Sequence, residues 1–238
     1  MGRCILYERI LIMSTTVDLY PDSGVGTTCC DGATIRTAGS ESWASINGGS
    51  ATGGSATGSS ANSGIQASNI SNEYTGLGRI QLLFDLSSIP SGSTIDNAYI
   101  HVRPHYALGT LAGSKFGIRD TTTASNTNIS SSDHVLAGST LLSNEIATGS
   151  IAVGSDNVFT LNTAGKARVA SAIGGIVKFL FGETVYDRTG AAPTWVSSGR
   201  ALVAIRMREY GSSTTWPRLE VEYTLSSGVK KSAFFLVM

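Results

Sequence analysis

The run Arg79-Ile-Gln-Leu-Leu-Phe-Asp-Leu-Ser-Ser-Ile-Pro-Ser-Gly-Ser-Thr-Ile-Asp-Asn-Ala-Tyr-Ile-His-Val-Arg103 constrains the fold more than any other part of this chain. It reads as two strands joined by a Pro/Ser/Gly turn, with Pro90 and Gly92 breaking the first and Thr94 to Val102 forming the second. Successive side chains on a strand point to opposite faces. In the first strand Ile80, Leu82, Phe84 and Leu86 therefore share one face, assigned to the core, while Arg79, Gln81 and Asp85 are expected on a solvent face. Near the other end of the chain Leu219, Val221 and Tyr223 alternate with Arg218, Glu220 and Glu222 in the same way. Both runs must hide their apolar sides, so they are expected to share one core.

Further strands are expected at Thr15 to Tyr20, Ala33 to Arg36, Lys115 to Arg119, Val158 to Leu161, Lys178 to Phe181 and Ala201 to Arg208. Asn162 to Ile173 is the good helix candidate: Asn162 or Thr163 can cap it, and Gly174-Gly175 stops it. Thr121 to Asp133 reads as a Ser/Thr/Asn-rich connection. This pattern predicts an all-β protein, a two-sheet antiparallel jelly-roll β-sandwich with one short helix.

The 238 residues fit one large β-domain, placed at 14–225. Within it, residues 48–64 are a Gly/Ser/Ala/Thr run with a local Gly-Gly-Ser-Ala-Thr repeat, expected as a long exposed loop because it offers little apolar surface to bury. Residues 1–13 and 226–238 are apolar tails outside the domain, and Phe234, Phe235, Leu236 and Val237 in the second are the expected assembly contacts. Glu8 and Arg9 interrupt the first tail, so it makes no convincing signal peptide, and either Met1 or Met13 could be the start. No stretch approaches the length of a membrane span.

Seventeen basic residues balance seventeen acidic ones, which argues against nucleic acid as a partner. Only 14% of residues are charged, so hydroxyls must fill solvent-facing strand positions, in the style of extracellular, viral or adhesive β-proteins. Three cysteines, Cys4, Cys29 and Cys30, cannot form an all-paired framework and read as small apolar fillers.

The central block, with its Phe84-Asp85-Leu86-Ser87-Ser88-Ile89-Pro90-Ser91-Gly92 turn entry, resembles the signature of DNRLRE-type jelly-roll domains. These are similar to carbohydrate-binding modules and recur in secreted and phage-encoded surface proteins. The segment Trp216-Pro-Arg-Leu-Glu-Val-Glu-Tyr-Thr224 resembles the final strand of the same domains. Tyr20-Pro-Asp-Ser-Gly with Asp31-Gly32, and Tyr186-Asp-Arg-Thr-Gly-Ala-Ala-Pro-Thr-Trp195, are similar to segments of tailed-phage and prophage proteins. The resemblance implies a jelly roll displayed on a virion or extracellular surface.

No catalytic signature is present. His101, His105 and His134 are expected at the surface, and Glu183, Asp187, Glu209, Glu220 and Glu222 as solvated carboxylates. Asp18, Asp22 and Asp31 could supply oxygen ligands to a structural Ca²⁺, as in many carbohydrate-binding jelly rolls, with turn formation as the alternative role. Trp43, Tyr186, Trp195 and Trp216 are the candidates for stacking against a sugar, with core or interface plugs as the alternative. The expected function is a non-enzymatic structural or interaction protein, a phage virion or extracellular assembly subunit serving as decoration, fibre or filament component. Its partners would be further copies of itself or other surface proteins. The alternative is a carbohydrate-binding module recognising surface glycans.

Overall fold

A computed structural model describes residues 14–23 and 28–225. The elements are β1 (Ser14–Leu19), β2 (Asp31–Ser42), α1 (Trp43–Gly48), β3 (Gly53–Ser55), β4 (Ser60–Ala67), β5 (Glu73–Asp85), β6 (Thr94–Val102) and β7 (Pro104–Gly109). They continue with β8 (Lys115–Thr121), β9 (Ala137–Leu141), β10 (Ile146–Ala147), β11 (Asn157–Thr160), α2 (Thr163–Ser171), β12 (Ile176–Glu183), β13 (Arg200–Arg206) and β14 (Arg218–Thr224). A four-stranded sheet runs β1-β14-β6-β11, and a ten-stranded sheet runs β10-β8-β12-β5-β4-β13-β7 with β2, β3 and β9 attached. All named ladders are antiparallel.

The two sheets pack face to face as a β-sandwich. Ile80, Leu82, Phe84 and Leu86 lie in one core cluster with Leu219, Val221 and Tyr223, as the alternation requires. An aromatic contact ties the layers together: Phe159 of β11 meets Phe181 of β12 edge-on with centroids 5.6 Å apart, while Phe116 of the neighbouring strand β8 stacks on Phe181 at 5.5 Å within the ten-stranded sheet. Each such ring contributes roughly 1.5–3 kcal/mol by leaving water.

The outer face of β5 is not solvated. Leu77, Arg79, Gln81 and Leu83 follow one another on that face, and all four are buried. A second layer covers them. At one end Leu77 joins Ile65, Tyr74 and Ala201 in a small cluster with Trp43 and Ile46 of α1. At the other end Leu83 packs with Cys29, Cys30, Ala56 and Ile129. Between these clusters lie the charged and polar side chains of Arg79 and Gln81, so the expected solvent face is an internal one.

The run at 48–64 is largely exposed, as expected, but it is not one loop: it contains two strand segments. Gly53–Ser55 pairs with β2, and the strand beginning at Ser60 pairs with β13 and, from Gly64, with β5. Small residues are needed there because backbones approach closely. Gly64 has φ +123°, and a Cβ on it would lie 1.9 Å from the Ala201 carbonyl oxygen. A Cβ on Gly54 would lie 2.5 Å from the Ser130 carbonyl carbon. A side chain at Gly64 would force β4 away from its neighbour β13, and one at Gly54 would force β3 away from the segment at Ser130.

The expected helix forms at Thr163–Ser171, with Asn162 accepting a hydrogen bond from the Gly165 amide at 3.0 Å. Gly174, at φ +81°, turns the chain away after it. A second helix, α1, joins it, so the single helix expected is corrected to two; its Trp43 and Ile46 are spaced i, i+3 and both bury. The stretch after Thr121 also contains a 3-10 turn at Ser131–Leu136. Among the described residues no helix is long and apolar enough to cross a membrane.

Candidate functional site

The chemistry-bearing groups that the fold brings together lie on the outer face of the ten-stranded sheet. Arg79 of β5 and Arg119 of β8 are on strands that both pair with β12, and both point into the second layer. The turn following β12 returns Asp187 between them. Arg79 contacts Asp187 Oδ1 at 2.5 Å and Arg119 contacts its Oδ2 at 2.6 Å. Further guanidinium donors are directed at backbone carbonyls: Arg79 to His134 and Asn47, Arg119 to Gly138 and Glu183. Burial alone would raise the Asp187 carboxyl, but the two guanidinium charges overcome it and hold the group at about 2.

Glu183 closes the same turn. Its carboxylate accepts the backbone amides of Val185, Tyr186 and Asp187, at 3.0, 2.7 and 2.8 Å. Burial pushes its carboxyl upward, opposed by these amide bonds. Asp187 and Glu183 are thus corrected from solvated carboxylates to buried structural ones. The cause is the second layer, which carries their segment over the sheet.

The histidines are corrected in part as well. His134 is fully buried, with Nδ1 2.9 Å from the Thr34 hydroxyl, and burial with the nearby Arg79 charge lowers it to about 3. His101 is buried on β6, with Nδ1 3.1 Å from Arg218. His105 is half-buried.

Above the Arg79–Asp187–Arg119 cluster opens a pocket of about 350 Å³ lined by those residues and by Asn47, Ser139, Arg188 and Thr189. Sequence reasoning missed it because its parts are distant: Arg79 and Asp187 lie 108 residues apart. One signal was present. Leu83, an apolar residue in the supposedly solvated row with Arg79 and Gln81, indicates that this face is covered.

The aspartates considered for Ca²⁺ do not converge. Asp18 contacts Arg218 at 3.4 Å on the open face of the four-stranded sheet. Asp22 accepts the amides of Thr28 and Cys29, a turn-forming role. Asp31 is buried and accepts the Arg208 amide at 2.9 Å; burial pushes its carboxyl up to about 7. Among the described residues no group of three or more His, Cys, Asp or Glu is placed to hold a metal ion.

The four aromatic candidates split into two places. Trp43 is 5% exposed and donates to the Gly190 carbonyl at 3.0 Å, in the cluster against which Tyr186 and Trp195 pack. These three plug the second layer. Trp216 lies apart, under the Arg208 guanidinium at 3.3 Å and edge-on to Tyr20 at an interplanar angle of 77°. No coplanar platform joins the four. Cys29 and Cys30 are buried thiols, and burial pushes Cys30 up to about 12. Cys4 and the tail residues Phe234, Phe235, Leu236 and Val237 lie outside the described residues.

The four-stranded sheet ends in β1, whose outer edge has no partner strand among the described residues. Its sequence, Ser-Thr-Thr-Val-Asp-Leu, contains no proline or lysine and one charge. Ser14 and Thr224 are paired across the β1–β14 ladder, so the segments before residue 14 and after residue 225 attach at one place on the molecule. No family model matches the chain, and no curated protein matches it.

Proposed function

We propose that this protein is a non-enzymatic structural subunit, a virion or extracellular-surface component of jelly-roll type that builds a larger assembly. The observation that carries this reading is the coincidence at β1 of a strand edge with no partner strand among the described residues and the attachment points of two segments that are apolar in sequence. Single domains blunt an exposed edge with lysine, proline or a bulge, because a row of unpaired amides and carbonyls recruits another strand. Here the edge carries hydroxyls and one aspartate. Ile5 to Met13 and Phe234 to Val237, in the segments that continue the chain from these two points, are apolar in sequence, a composition suited to adding a strand to a neighbour's sheet or filling its groove.

The consumption of the buried charges supports the non-enzymatic part. The carboxylates of Asp187 and Glu183 are engaged by guanidinium groups and backbone amides, which leaves neither poised as a general acid or base. The aromatic arrangement favours no glycan platform.

The test is truncation after Leu225 together with an edge-blocking change, Thr16→Lys, each followed by sedimentation and circular dichroism. Release of monomers with an unchanged β-rich spectrum is the expected result. An oligomeric mass indifferent to both changes would remove this edge from assembly.

A further inference from the structure

The pocket beside the Arg79–Asp187–Arg119 cluster has more donors than its protein acceptors use. A guanidinium carries five N–H donors. Arg79 sends its Nε to Asp187, one Nη1 hydrogen to the His134 carbonyl, and its Nη2 hydrogens to Asn47 and Asp187. Arg119 uses its Nε and one Nη2 hydrogen on Gly138, and both Nη1 hydrogens on Glu183 and Asp187. One N–H on each therefore has no protein acceptor among the described residues. Arg188, which lines the same pocket, uses only Nε, on the Thr184 carbonyl at 2.8 Å, and its terminal N–H groups have no protein acceptor among the described residues either.

The neighbouring acids are engaged with other groups. Both oxygens of Asp187 are already taken by the two buried arginines. Glu183 faces the amides of its own turn, and Asp120, which abuts Gly138 at the rim, accepts the Thr140 amide at 2.8 Å. Of the charged side chains that line the pocket, three are guanidinium groups and one is a carboxylate. Two of those guanidiniums are almost wholly buried, Arg79 at 4% and Arg119 at 2% exposure, where a charge-assisted hydrogen bond is stronger than in water.

We propose that this pocket binds a compact oxyanion, a phosphate or carboxylate group borne by a small ligand, held by the spare N–H groups of Arg79, Arg119 and Arg188. The fixed fork of a guanidinium matches the oxygens of either group. The volume of about 350 Å³ admits such a group together with a ring-sized remainder. Asn47 and the Ser139 and Thr189 hydroxyls line the wall against which that remainder would lie. The site lies on the outer face of the ten-stranded sheet, whereas β1 belongs to the four-stranded sheet, so its titration tests it separately from the proposed edge.

Isothermal titration of the full chain with inorganic phosphate, with glucuronate and with neutral glucose tests the site. Saturable binding of phosphate or glucuronate, with none of glucose, is expected, and the better of the two identifies phosphate or carboxylate as the preferred source. Arg188→Gln, which leaves the buried ion pairs intact, should weaken binding by about tenfold or more without moving the urea midpoint. Ser139→Asp, which places a carboxylate in the pocket, should abolish it. Absence of saturation by either anion up to about 10 mM, or binding that survives both substitutions, overturns the proposal.

Discussion

Asp187→Asn removes one negative charge from the interior and leaves two buried guanidinium groups without their shared counter-ion. The carboxylate contacts Arg79 at 2.5 Å and Arg119 at 2.6 Å, and every partner is almost fully buried. Breaking a buried pair from one side costs about 3–5 kcal/mol, because the remaining charge stays desolvated. The linkage contribution has the same sign and a comparable size. A carboxyl held at about 2 in the fold, against an ordinary value of 3.8, corresponds to about 2 kcal/mol at neutral pH. Because the folded value is the lower one, this stability is fully present above about pH 4 and lost as the pH falls through 2. Urea unfolding of both proteins at pH 7 and across pH 5 to 2 measures both quantities. The variant should unfold about 3–5 kcal/mol more easily at pH 7, with a shallower acid limb than the parent. A difference below about 1 kcal/mol, or parallel acid limbs, would show that the two guanidiniums do not depend on Asp187.

Phe84, fully buried in the core and with its ring centroid 6.4 Å from that of Phe179, should cost about 3–5 kcal/mol when truncated to alanine, read from urea midpoints; an unchanged midpoint would contradict the shared core. Gly64→Ala should destabilise by more than about 1 kcal/mol, because the new Cβ meets the Ala201 carbonyl and φ is +123° there; an unchanged melting temperature would show that β4 and β13 separate freely.

The sequence by itself determined the inner layer. Period-2 apolar runs such as Ile80-Leu82-Phe84 and Leu219-Val221-Tyr223 bury against each other whatever else the chain does, since their free energy comes from one continuous apolar face. The cap at Asn162 and the turn at Gly174 were equally legible, because both are satisfied by residues within a few positions. The outer layer was decided only by tertiary structure. An arginine or glutamine at alternate strand positions looks the same whether water or protein covers it, and the cover at Arg79 comes from Asp187, 108 residues away. The glycine-rich run at 48–64 misleads for a related reason. Its small side chains bury little surface in an isolated segment, yet between backbones that approach as closely as Gly64 and Ala201 they are what the space admits. The candidate site belongs wholly to this second category, because a buried charge is placed by its distant partners rather than by its own neighbours in the chain.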